Sequence, residues 1–184
     1  MKKIYAKLSN NVTVVGDYFD DEDYEKIKDI FKKWLEINAD LKSLGGRTLN
    51  VPDVVSEALY CILYNAIRTN NEANAGSYDA VNIDDGSGVQ VKSTSVPSDL
   101  TSFGPHSTWD KLFFLDFCPN GIVDGQVDIY EIKDDVKHIV MNKGKGETFE
   151  DQQNQGRRPR FSIKDEIIKK NGYKPDKTVY LVTK

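Results

Sequence analysis

Three polar residues of different chemistry stand close together in one otherwise apolar stretch, Ser77 to Thr94: Asp79, Gln90 and Lys92. A carboxylate and an amide oxygen are ligands for a hard cation, and a lysine supplies a mobile positive charge. The stretch reads as a β-hairpin. Tyr78 to Ile83 is one strand, rich in β-branched and aromatic residues. Asp84-Asp85-Gly86-Ser87-Gly88 is the turn, with glycines where positive φ is needed. Val89 to Ser93 is the return strand. Side chains alternate along it, so Gln90 and Lys92 share one face, and Val89 and Val91 the other. With the turn centred near Gly86, Asp79 falls opposite Lys92 or its neighbour, roughly 4.5–5.5 Å away. An acid, an amide and a lysine then meet at one sheet edge.

A helix must lie just before this hairpin. Asn50-Val51-Pro52-Asp53 opens it, with proline in the first turn, and it runs through Ala58, Leu59, Cys61, Ile62, Leu63 and Ala66 to about Arg68. It is nearly apolar, and so largely buried. Glu57 is the exception. A glutamate on a buried helix costs free energy unless it is paired or bound to a metal. As a surface residue near the helix start it costs nothing. The helix alone leaves both readings open.

The arrangement Asp79, ten intervening residues, then Gln90-Val91-Lys92 resembles the core of the PD-(D/E)XK nuclease superfamily. That core carries an Asp on one strand and acid-x-Lys on the next. Two positions depart from it: Tyr78 stands where Pro is usual, and Gln90 where Glu or Asp is usual. Pro52-Asp53 lies at a helix opening and is not the family's Pro-Asp. The resemblance covers roughly Asn50 to Phe161. It implies a helical acid before the hairpin aimed at the metal site, which Glu57 matches. The hairpin, Thr101-Ser102-Phe103-Gly104-Pro105 and Gln155-Gly156-Arg157-Arg158-Pro159-Arg160-Phe161 are most similar to small type II restriction endonucleases of the group that cuts GCNGC. The resemblance implies Mg2+-dependent hydrolysis of phosphodiesters in double-stranded DNA. Asp79, Glu57 and the neutral Gln90 would hold the metal. Lys92 would orient the attacking water and offset charge on the phosphorane. A homodimer would cut both strands, and a companion DNA methyltransferase would protect the host. Two other readings share the hairpin: a repair or junction-resolving nuclease of the same superfamily, and a non-catalytic DNA-binding domain.

A second stretch bears on DNA. Gln152, Gln153 and Gln155 precede Arg157, Arg158 and Arg160, just before a helix start. Arginine pairs bidentately with guanine and glutamine with adenine, while helix N-termini accept phosphate. Read as a loop over about 147–162, the segment suits a DNA groove. Its bland alternative is a solvated loop whose arginines pair with Glu147, Glu150 and Asp151. His106 is a lone histidine with no partner at a recognisable spacing.

The rest of the chain sets the frame. At 184 residues a single domain, 1–184, is expected, with a helical N-terminal part over about 17–70. A net charge of −4 argues against non-specific coating of DNA, though a local basic cleft can override it. Cys61 and Cys118 lack metal spacing and read as buried thiols in a reducing compartment. No run is long and apolar enough for a membrane span, and no h-region follows Met1-Lys2-Lys3, so a cytoplasmic protein is expected. Asp20 to Asp23 open a helix whose Tyr24, Ile27, Phe31, Trp34, Leu35 and Asn38 recur at helical spacing. Lys2 to Val15 is a strand or an irregular arm. Lys111 to Cys118 is a central strand, and Val123 to Ile132 contains a half-buried one. A short helix is expected from Ser98. Ser162 caps a helix ending near Gly172, and Thr178 to Thr183 is a closing strand. The order predicts an α/β fold of restriction-endonuclease type, a mixed β-sheet flanked by helices.

Overall fold

In the computed structural model, which describes residues 1–70, 76–142 and 144–182, one large sheet carries the fold. The N-terminal arm is a hairpin of β1 (Lys2–Lys7) and β2 (Thr13–Tyr18). Helix α1 (Asp21–Ser43) follows. Its Asp20 side chain accepts from the Asp23 amide while Asp23 returns the bond, a reciprocal cap reinforced by acids in the first turn. Ile27, Phe31, Trp34 and Asn38 are its buried face, as their spacing predicts.

Helix α2 is shorter than the sequence suggests. It spans Asp53–Leu63, and the chain then turns through Asn65 at φ 50°. Ala66–Arg68 is strand β3, paired with the hairpin rather than wound into the helix. Asn tolerates the left-handed turn that breaks the helix. Unpaired strand edge at the hairpin then outweighs the helical propensity of three residues.

The hairpin is β4 (Ala80–Asn82) and β5 (Gly88–Thr94), with β6 (Thr101–Ser102), β7 (Lys111–Asp116) and β8 (Gln126–Ile132) after it. No helix forms from Ser98, where the buried Asp99 draws the chain inward. Then come β9 (Val140–Asn142), β10 (Glu147–Thr148), α3 (Phe149–Asn154), β11 (Arg160–Phe161), a π-wound helix α4 (Lys164–Lys169) and β12 (Lys177–Tyr180). Thr183, expected in the last strand, lies outside the described residues. The main sheet has eight strands in the order β1-β2-β3-β4-β5-β7-β8-β12. Among the described residues only β5 and β7 pair in parallel; the other ladders are antiparallel. The expected central strand, β7, lies between β5 and β8.

Three apolar clusters pack on this sheet, a small one of Ala6, Leu8, Val14, Ile67 and Val81 at the N-terminal arm and two larger ones on its faces. On one face Val89, Val91, Phe113, Leu115, Val127 and Ile129 pack under α1 and α2. On the other, Leu112, Phe114, Tyr130 and Ile132 pack against Phe103, Phe149, Phe161 and Ile163. Gln90 and Lys92 lie level with Leu112 and Phe114, so they point to this second face. The alternation along β5 therefore delivers a polar pair to the side that carries the β6–β11 ribbon and the arginine segment. Cys61 and Cys118 are free and buried. No helix among the described residues is long and apolar enough to cross a membrane.

Candidate active site

The turn decides which residues meet. Asp85 Oδ1 accepts from the Ser87 amide at 2.9 Å, and Lys111 Nζ reaches Asp85 Oδ2 at 2.5 Å. Gly86 takes φ 70°, and a Cβ there would stand 2.5 Å from the Lys7 carbonyl oxygen, so the N-terminal arm packs on backbone that only glycine allows. The hairpin closes around Asp84 and Asp85, with the Asn82 amide donating to the Ser87 carbonyl. Ala80 then pairs with Val89, which brings Asp79 level with Gln90. This corrects the expectation that Asp79 lies opposite Lys92 or its neighbour. The tight Asx turn at Asp85 moves the register.

Asp79 is held firmly at one oxygen. Its Oδ2 accepts from Gln90 Nε2 and from the Val91 amide at 2.8 Å. Its Oδ1 takes no hydrogen bond from a described residue. Gln90, 3% exposed, therefore first fixes the carboxylate. Its own carbonyl oxygen likewise accepts nothing from a described residue.

Glu57 is neither a surface residue nor unpaired. Arg68 on β3 binds its Oε2 through Nε at 2.5 Å, with both side chains under a fifth exposed. Burial pushes the Glu57 carboxyl up from its usual range, Arg68 pulls it back, and the charge of Asp79 pushes it up again. Burial likewise raises Asp79, and Lys92 is the main group opposing that. Two carboxylates thus share one weakly solvated space, and burial outweighs the one positive charge that each has beside it.

That space is a cleft of about 430 Å³ lined by Asp53, Glu57, Asp79 and Lys92, with Ser93–Ser95 and Thr101–Ser102 as a hydroxyl-rich wall. Ser102 Oγ is buried there and has no hydrogen-bond partner among the described residues. Among those residues no three His, Cys, Asp or Glu side chains converge as a metal cluster. The donors that line the cleft are carboxylates and hydroxyls, with one oxygen of Asp79 left open; Gln90 lies behind Asp79 and does not line it. That is a hard-oxygen set that fits a divalent cation with part of its shell left as water.

The arginine segment is not one loop. Thr148 and Asp151 cap each other reciprocally and start α3, so Gln152 and Gln153 are helical. Gln152 is buried. Gln153 Nε2 donates to the Gly104 carbonyl at 2.9 Å and ties down the loop after β6. Arg157 pairs with Glu147 at 3.1 Å and with Gln155, the bland alternative for that residue. Arg158 and Arg160 are exposed and form no ion pair with a described residue. Arg160 pairs with Ser102 across the β6–β11 ribbon, so one free arginine stands directly behind the cleft wall. His106 is exposed and lines a separate cleft of about 530 Å³ with Trp109 and Asn154.

Besides Arg68, sequence reasoning missed three contributors. Asp53 lies one helical turn before Glu57 and lines the same cleft, a spacing of four that was available in the sequence. Asp99, 5% exposed, accepts from Ser162 Oγ and the amides of Ile163 and Lys164, and from Thr101 Oγ1. It pins the cleft wall to the start of α4 across more than sixty residues of chain, for which no local signal exists. Phe103, fully buried, lies under the Lys92 ammonium at 5.5 Å from the ring centroid.

An eight-stranded mixed sheet, with acid and lysine on neighbouring strands of one hairpin and a helical acid at their cleft, is restriction-endonuclease-like. The comparisons with known proteins are more specific. A family model described as Bsp6I restriction endonuclease matches residues 19–170, a span that holds every candidate site residue. The type II restriction enzyme Bsp6I of Bacillus sp. (strain RFL6) is 36% identical over 158 residues, 82% of this chain and 84% of that enzyme. The chain belongs to the Bsp6I restriction endonuclease family, and so to the type II restriction endonucleases, which are site-specific deoxyribonucleases. No solved structure matches it.

Proposed function

We propose that this chain hydrolyses phosphodiester bonds of double-stranded DNA in a Mg2+-dependent reaction at the Asp79–Glu57–Lys92 cleft. The observation that carries this reading is Asp79 itself. One of its oxygens is fixed by Gln90 and Val91, and the other is open toward a cleft shared with a second carboxylate and a lysine. Asp79 and Glu57 would hold the cation, with Gln90 fixing Asp79 from behind. When bound, the cation supplies Lewis-acid polarisation of the phosphate and a lowered pKa for a bound water. Lys92 orients the attacking water and offsets the charge that builds on the phosphorane. Arg68 holds Glu57 in place and keeps it from turning away from the cleft. Ser93 and Ser95 line the cleft, where their hydroxyls suit phosphate oxygens of the strand being cut.

Cutting both strands calls for two such sites, which a homodimer provides. Helix α1 offers a face for it. Ile30, Ile37 and Leu44 are 45%, 49% and 84% exposed at a spacing of seven. Lys33 and Asp40 are exposed beside them. Twofold antiparallel pairing centred on Ile37 sets Lys33 of one protomer beside Asp40 of the partner subunit, a complementary contact made twice.

The test is a digest of long unmethylated DNA with Mg2+ and with EDTA, alongside the particle mass in solution. The expected result is discrete fragments with Mg2+, none with EDTA, and a mass twice the 20.8 kDa of the chain. Mapped ends give the recognition site, GCNGC being the first to compare. Cleavage that survives EDTA, or intact DNA under every divalent metal, sinks the metal reading. A monomer that nicks one strand sinks the dimer.

For DNA contact we propose Arg158 and Arg160, with Arg157 and Gln155 at the rim. Gln152 and Gln153 carry the segment from within instead of touching bases. Arg158→Ala and Arg160→Ala are each expected to weaken binding about tenfold, on the order of one charge-assisted contact. If the contact is a phosphate, the salt dependence becomes shallower by about one counterion. Arg157→Ala is expected to change binding less, because its guanidinium is already partly neutralised by Glu147. Binding measured with Ca2+ across salt concentrations decides this. An Arg157 effect larger than the other two would reverse the assignment.

A further inference from the structure

Lys92 and Asp79 interact through their charges, yet they form no ion pair. The Lys92 ammonium instead rests over the face of Phe103, 5.5 Å from the ring centroid. An ammonium over a ring is attracted by the ring's negative face, more strongly where water is excluded. Phe103 cannot move away. It is fully buried, stacked on Phe161 at 5.7 Å and 10°, and met edge-on by Phe149 at 5.2 Å. Its backbone amide donates to the Pro159 carbonyl at 3.0 Å, one residue before Arg160. The ring is therefore a fixed platform at the cleft wall.

From this we infer that Phe103 is a positioning residue: its ring holds the Lys92 ammonium clear of Asp79, so that the open Asp79 oxygen stays available to a divalent cation. The inference rests on the metal reading given above and goes beyond it. Without the ring, the half-buried Asp79 carboxylate, on which the ammonium already acts through its charge, is the partner it would take, and a lysine paired there competes directly with the cation. Because β6 pairs with β11, the same platform is continuous with the strand that bears Arg160.

The experiment is a double-mutant cycle read by Ca2+ binding in a calorimeter, with no cleavage involved. Phe103→Leu is expected to weaken Ca2+ binding about tenfold. In a Lys92→Met background the same substitution is expected to leave Ca2+ affinity unchanged, because no ammonium remains to collapse onto Asp79. An equal loss in both backgrounds means that Phe103 only supports the fold, and overturns the proposal. So does no loss in either. A measurement on the unaltered protein guards against a variant that does not fold. The Lys92 ε-methylene protons are expected upfield of an ordinary lysine from the ring current of Phe103, and an ordinary shift overturns the proposal. Failure of the metal reading looks different: the wild-type protein then binds no Ca2+ at all, while the ring-current shift is still present.

Discussion

Lys92→Ala is expected to lower cleavage by at least about 10²–10³-fold while leaving DNA affinity in Ca2+ within a few-fold of wild type. The argument is one of location. Lys92 lies on the cleft wall beside Asp79 and not on the exposed arginine segment, so it adds little to groove or backbone contact. Its charge matters most where a second negative charge builds on a phosphate in a site with little water, since a positive charge there stabilises the transition state more than the bound substrate. Removing it also takes away the charge that chiefly opposes the upward push of burial on the Asp79 carboxyl. Since a like charge that repels a divalent cation leaves the cleft at the same time, the variant is expected to keep cation binding near wild type at neutral pH while failing to cleave. Single-turnover cleavage and Ca2+-supported binding on one preparation separate the two effects. Cleavage within threefold of wild type would remove Lys92 from the reaction and leave Asp79 and Glu57 as a metal site without a catalytic lysine.

How far the sequence led depends on which interactions are local. The start of α1, the hairpin and the central strand β7 were legible, because capping, turn residues and alternation act within a few positions. The end of α2 was not read. Its signal was the single Asn65, whose left-handed backbone converts a helical run into a strand. The Thr148–Asp151 capping box was also present in the sequence, and it would have placed Gln152 and Gln153 on a helix. Reading that segment by composition hid it. Asp79 and Lys92 were found, but their register was set by Asp85 closing the turn on Ser87. Partners distant in sequence stayed invisible in principle. Nothing near Glu57 announces Arg68, nothing near Lys92 announces Phe103, and nothing near Asp99 announces the start of α4.

The largest stability effect is expected at such a distant pair. Lys164 and Asp116 meet at 2.6 Å with side chains 8% and 4% exposed, and Lys164 Nζ also donates to the Cys118 carbonyl at 3.1 Å. Burial pushes the Asp116 carboxyl up, and the Lys164 hydrogen bond opposes it. Across the β7–β8 ladder, Asp116 stands opposite Asp128, a second carboxylate. Lys164→Met would leave Asp116 buried, unpaired and beside a like charge. The expected cost is about 3–5 kcal/mol. In a chain of this size that lowers Tm by roughly 10–15 °C. Removing both charges, as Lys164→Met with Asp116→Leu, is expected to recover most of that loss, since a well-packed apolar pair replaces a desolvated one. The sign of the pH dependence identifies the cause. In the single variant the folded-state pKa of Asp116 lies above its unfolded value of about 3.9. Below that value the carboxyl is protonated in both states and the deficit is small; it grows as pH rises through the folded pKa. Denaturant unfolding at pH 4 and pH 7 measures this directly. A deficit equal at both pH values would assign the loss to packing around α4. The consequence reaches the cleft, because α4 begins where Asp99 fastens the wall behind Lys92. An active site assembled from a hairpin and a ribbon is thus held in register by a buried ion pair on the far side of that ribbon.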